Sequence, residues 1–160
     1  MGITASLTRL NAEQWQELKD NPELALEDFW ERDDLMSIDL DKAWHAIHYV
    51  LNGQAWEGVG PLAQTILGGE RLEVNEDAVN VALLSPADVQ LVNQVLQAIS
   101  AQDFIARYDA KALDKAEIYP QIWVRDGQDG LNYVLEYFSE LKAGYAAAAA
   151  SGEGLLISVG

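Results

Sequence analysis

Both histidines of the chain lie in one short stretch, Ile38 to Gly53, IDLDKAWHAIHYVLNG. Read as a helix, this stretch sets Asp41, His45 and His48 at i, i+4 and i+7, within about 60° of one another around the axis. Imidazole and carboxylate at that spacing suit two kinds of chemistry. They could ligate a metal, or a histidine could act as a general base with Asp41 orienting it. A metal would need a fourth ligand, and nothing nearby supplies one, so the sequence implies neither a metal nor a cofactor. A structural use competes with both: His45 pairing with Asp41 one turn earlier, and His48 bonding a backbone carbonyl. Trp44, Ile47 and Leu51 form the adjoining apolar face, which puts the histidines at the edge of the core and makes Trp44 a packing residue.

Other residues extend this candidate ligand or partner site. Trp56 sits in a glycine-rich segment, GQAWEGVGP, where an exposed tryptophan would be a contact residue. Tyr119 and Trp123 could add aromatic walls. Glu117 could supply an acid, or pair with Lys115 or Lys42. The familiar motifs fail. Gly53 and Gly58 begin a phosphate-loop spacing, but Val59-Gly60 stand where Lys and Ser/Thr are needed. Gly58-Val59-Gly60 lacks the third dinucleotide glycine. Asp39-Leu40-Asp41 begins like a calcium loop, but Ala43 and Trp44 break it. No serine lies in a nucleophile elbow.

The elements that must position these residues have readable boundaries. Ile3 to Leu10 alternate as a strand. Asn11 and Gln14 form a capping box for a helix carrying Trp15 and Leu18. A second short helix runs through Leu24, Leu26, Phe29 and Trp30. Asp39 is read as the N-cap of the central helix and Gly53 as its C′ residue. Pro61 opens PLAQTIL, which Gly68-Gly69 ends. Leu72 to Val74 and Val79 to Leu84 read as strands. Ser85-Pro86-Ala87-Asp88 starts a helix that buries Val89, Val92, Val95, Leu96 and Ile99. Another helix spans Ala101 to Tyr108. Ile118-Tyr119-Pro120 reads as extended, because a residue before proline avoids the helical region. Asp126 to Gly130 reads as a turn, with Asp129 capping a long last helix that Gly152 ends. Leu155 to Val159 form a final strand. Strands mix with helices without βαβ alternation, which gives an α+β fold. We expect a single domain over residues 1–160, with several helices on a small sheet that includes the N- and C-terminal strands.

Composition limits the partners. The 160 residues carry 26 acids against 10 bases, a formal net charge of −16, and no cysteine. The acidic excess runs along the whole chain. Such a field repels nucleic acid and anionic membranes and attracts a basic protein or a cationic ligand. The absence of cysteine excludes a disulfide scaffold and a thiol nucleophile. The start lacks the basic and apolar regions of a signal peptide. A cytoplasmic location is therefore expected. The function these features favour is a non-enzymatic binding protein, one form of which neutralises a basic toxin or enzyme. The rival is a small-molecule enzyme using His45 or His48 with Asp41.

Several pieces also resemble the YfbM-like family of small bacterial proteins: Leu40-Asp41-Lys42-Ala43-Trp44-His45 with His48, Leu51 and Gly53; Pro61-Leu62 with Leu67-Gly68; Glu117-Ile118-Tyr119-Pro120; and the closing helix and strand. The resemblance runs in order along nearly the whole chain. It implies a bacterial α+β protein and brings no activity, cofactor or catalytic residue.

Overall fold

The last strand of the chain lies in the middle of its sheet. In the computed structural model, which describes residues 2–27, 32, 34–74 and 77–160, five antiparallel strands stand in the order β2-β1-β5-β4-β3. They are β1 (Ala5–Leu10), β2 (Ser37–Asp41), β3 (Glu70–Arg71), β4 (Asn80–Leu84) and β5 (Gly154–Val159). β5 pairs with β1 on one side, Leu7 opposite Ile157, and with β4 on the other, Ala82 opposite Ile157. The expected meeting of the terminal strands is thus observed.

Both faces of the sheet are covered, which is why β5 is almost continuously apolar. Leu155, Ile157 and Val159 point into the larger core, while Leu156 points into the smaller one, as the two-residue period requires. The smaller core lies under α1 (Ala12–Asp20) and α2 (Leu24–Glu27), and includes Leu10, Leu18, Ala25, Val81 and Leu83. Asn11 and Gln14 close the α1 capping box as expected. Phe29 and Trp30, expected to continue the second helix, lie outside the described residues.

The larger core is built by α3 (Trp44–Asn52), α4 (Pro61–Leu67), α5 (Pro86–Gln97), α6 (Ala101–Arg107), α7 (Ala110–Lys115) and α8 (Trp123–Ala150). Ser85 caps α5 by accepting from the Asp88 N–H at 3.1 Å. Phe104 of α6 stacks on Phe138 of α8 with ring centres 4.2 Å apart. Gly144 brings α8 close to the sheet: a Cβ there would collide with the Ile38 side chain. Among the described residues no helix is long and apolar enough to cross a membrane.

Four local expectations are corrected. The central helix does not start at Asp39. Ser37–Asp41 is strand β2, with Ile38 and Leu40 buried and Ser37 and Asp39 exposed, and the helix begins at Trp44. The alternation of this segment found a partner strand in β1, and tertiary pairing overrode the local cap signal. The strand expected at Leu72 to Val74 lies earlier, at Glu70–Arg71, with the Leu72 N–H still donating to the Val81 carbonyl at 2.8 Å. The Ile118-Tyr119-Pro120 piece is a turn in which the Gln121 N–H donates to the Ile118 carbonyl at 2.8 Å. Finally, α8 starts at Trp123. Only Gly127, at φ 54°, leaves helical geometry where a whole turn was expected. Asp129 is not the cap. Asp114 of α7 does that work from another element, its carboxylate accepting from the Trp123 and Val124 N–H groups at 3.2 and 3.0 Å.

Candidate functional site

Helix α3 is almost wholly buried, and its polar side chains are spent on the loop that follows it. Gly53 ends the helix in the left-handed region, φ 72°, a conformation glycine adopts without a Cβ penalty. The chain then runs through residues 53–60 to α4. His45 Nε2 lies 2.9 Å from the Ala55 carbonyl, and His45 Nδ1 lies 2.9 Å from the Tyr119 N–H. The first nitrogen must donate and the second must accept, so His45 is the neutral Nε2–H tautomer. A second proton would face the Tyr119 N–H. Burial, the largest cause, together with the neighbouring His48 holds the His45 pKa down at about 4, against the donor bond to Ala55, which raises it. His48 Nε2 donates to the Glu57 carbonyl at 3.1 Å, and its Nδ1 faces the Asn52 amide nitrogen at 3.4 Å. Burial lowers its pKa as well.

Asn52 completes the set, donating to the Leu62 carbonyl at 3.1 Å. Three α3 side chains thus pin the loop backbone at Ala55 and Glu57 and the first turn of α4 at Leu62. Gly58 permits the closest approach, since a Cβ there would sit 2.6 Å from the Asn52 Oδ1. Between the two histidine anchors stands Trp56, 48% exposed, and Val59 beyond it is 92% exposed. The inner side of the Trp56 ring rests on His45 at 4.5 Å between centres, and His45 stacks on Trp44 at 4.8 Å. Trp44 is buried and donates its indole N–H to the Ile3 carbonyl at 2.9 Å.

The remaining expected site residues divide. Tyr119 joins the stack, 6.1 Å from Trp44, and its hydroxyl accepts from the Ile3 N–H at 2.8 Å. Asp41 does not. It ends β2 instead of lying on the α3 face, so the expected Asp41–His45 pair does not form. Its Oδ2 accepts from the Tyr133 hydroxyl at 2.6 Å, and that hydroxyl accepts from the Lys42 N–H at 3.1 Å. Glu117 is exposed at the turn before Ile118. Trp123 is buried, donating its indole N–H to the Ile118 carbonyl at 2.9 Å, and borders a separate cavity shared with Lys42, Asp126, Asp129 and Tyr133. Sequence reasoning named Trp123 but missed Asp126, Asp129 and Tyr133 beside it. The signal was the one-turn spacing of Asp129 and Tyr133, hidden because residues 126–130 read as a turn. Among the described residues, no group of three or more His, Asp or Glu side chains is placed to hold a metal ion.

With this geometry in view, comparison with known proteins places the chain. Residues 1–158 match the family model described as "Domain of unknown function (DUF1877)". The structure is similar to that of YfbM from Escherichia coli, titled a protein of unknown function, with a TM-score of 0.79 and 17% identity over 98% of this chain and 99% of that one. At that identity the likeness shows the fold alone. Comparison with curated proteins returns no match. The chain belongs to the DUF1877 family.

Proposed function

We propose that this DUF1877-family chain is a non-enzymatic binding protein of the bacterial cytoplasm that captures a basic protein partner, with the loop around Trp56 as its anchor. The observation that carries the reading is the pinned loop. His45 and His48 fix the backbone on both sides of Trp56, so an exposed indole is presented on a pre-ordered support, and little ordering entropy remains to be lost on contact. The net charge of −16 supplies long-range attraction for a basic protein. Neutralising a basic toxin or enzyme is the specific form of this activity.

The enzyme reading has less support. A general base needs a free basic nitrogen, and His45 Nδ1 is taken by the Tyr119 N–H. Asp41, cast as the orienter, is bound to Tyr133.

The test is capture from a bacterial lysate on the immobilised chain. At low salt basic proteins should be retained, and retention should fall as the Debye length shrinks from about 10 Å at 0.1 M to about 3 Å at 1 M. Trp56→Ala should release a specific partner while leaving the salt dependence unchanged. Retention of polycations alone, equal for both chains, would sink the proposal.

A further inference from the structure

A cavity of about 320 Å³ opens where β4 passes into α5. Trp15 of α1, Gln64 of α4, Leu83 of β4, and Ser85 and Asp88 at the start of α5 border it. Its size falls at the lower end of the range for small-molecule clefts, about 300–1,000 Å³, which leaves room for a single ring.

Several polar groups on its walls are not spent on the fold. Ser85 Oγ accepts from the Asp88 N–H at 3.1 Å, and its own hydroxyl proton goes to no acceptor among the described residues. The Asp88 carboxylate and the Gln64 amide are partly buried, and neither has a hydrogen bond or ion pair among the described residues. Trp15 forms another wall, and its indole N–H is buried without a partner. Buried polar groups are nearly always satisfied, and one that is not calls for an explanation.

Two of these groups converge on one spot. A Cβ placed on Gly69, which also lines the cavity, would lie 3.6 Å from Asp88 Oδ2, from Gln64 Nε2 and from the Leu83 carbonyl oxygen alike. Gly69 thus leaves a small open space ringed by polar atoms from α5, α4 and β4. Lys19 and Glu70 border the cavity on its solvent side, 4.0 Å apart and both exposed, a pair worth little in water.

The ligand must answer both kinds of group. The indole N–H, the Ser85 hydroxyl and the Lys19 ammonium need acceptors, Asp88 needs donors, and the Gln64 amide takes either. An anion would meet Asp88 and Glu70 on a chain already at −16. A simple cation would serve Asp88 and leave the donors unmet. A hydroxyl donates and accepts at once, and the Trp15 ring adds an apolar surface for C–H groups. We infer that this cavity binds a neutral hydroxylated ring, a pyranose monosaccharide, with one hydroxyl seated beside Gly69 between Asp88 and Gln64. The site shares no residue with the Trp56 loop and does not depend on it.

Amide and indole chemical-shift mapping with D-glucose, D-galactose and D-mannose tests this. At least one should bind saturably at millimolar concentration, with shifts centred on Gly69, Asp88 and the Trp15 indole N–H. Asp88→Asn keeps the shape and removes the charge, and should weaken binding about tenfold, the loss expected of one charge-assisted bond. Gly69→Ala should abolish binding by filling the open space. Its methyl group would make only ordinary contacts, at 3.6 Å, and Gly69 does not occupy the left-handed region, so the melting curve should not move. D-Glucuronate should bind more weakly than D-glucose, and n-butylamine should not displace the sugar. No saturable binding by any of the three sugars would overturn the inference. So would shifts centred elsewhere, undiminished binding to Gly69→Ala, or displacement by n-butylamine.

Discussion

The α3 shoulder and the start of α8 are both rich in buried polar and aromatic groups, yet they use them in opposite ways. At the shoulder, His45, His48 and Asn52 are all engaged in holding backbone. At the start of α8, the Lys42 ammonium and the Tyr108 hydroxyl have no partner among the described residues. Histidines attract functional attention because they titrate near neutrality, but here they form the scaffold. The polar groups left without a partner there belong to a lysine and a tyrosine, residue types that look ordinary in a sequence. The accounting of hydrogen bonds separates the two roles where residue type does not.

If the shoulder is scaffold, its residues should dominate stability. Trp44→Ala removes a fully packed indole and its bond to Ile3, and should cost about 3–5 kcal/mol in denaturant unfolding. An unchanged midpoint would break the comparison.

The pH dependence should follow next. His45 has an ordinary pKa of 6.5 and a folded value of about 4. Its folded value is lowered, so the unfolded chain binds the proton more readily. The stability it contributes is present above pH 6.5 and is lost as pH falls toward 4. The loss should be on the order of 3 kcal/mol, and His48, lowered in the same direction, adds to it. His45→Gln should flatten this slope in unfolding measured between those pH values. A slope identical to the parent chain's would show that His45 is not the locked neutral group described.

Asp114→Ala removes the cap on the first N–H groups of α8. It should cost about 1 kcal/mol in thermal unfolding. At the bottom of the scale stand Lys42→Met and Asp129→Asn, expected to change stability by no more than about 0.5 kcal/mol. A large loss in either would move the cavity into the scaffold class and erase the contrast.

Much of the frame was legible in the chain because local chemistry sets it. Asn11 and Ser85 announce their helices by side-chain bonds made within three residues. Gly53 marks the end of α3 because its backbone needs positive φ. The first strand was legible from alternation, the last from a short apolar run after Gly152, and Trp44 from its helical face. The failures share one physical origin, which is that the deciding partner is far away in sequence. Asp39 carries a cap signal, but the segment pairs with β1, some thirty residues earlier, Ser6 opposite Asp39. Asp129 looks like a cap for α8, but Asp114 reaches that end first from α7. Asp41 seems to belong with His45, yet its partner is Tyr133, 92 positions along the chain. The cavity was invisible for the same reason, because its lining joins Lys42, in the β2–α3 corner, to residues 120–133 around the start of α8.

The central place of β5 has a consequence for how the molecule comes into being. β5 bridges β1 and β4, the Thr4 and Gly160 backbones exchange hydrogen bonds, and no rung of those two ladders can form until residues 154–159 have left the ribosome. During synthesis β1 and β4 therefore wait with open edges, and the apolar faces meant for Leu155, Ile157 and Val159 stay uncovered. Pairings this distant in sequence are slow to close, because the loop entropy must be lost before the contacts repay it. The nascent chain thus passes through a stage with exposed strand edges that are prone to aggregation, and the acidic excess spread along the chain makes such copies repel one another.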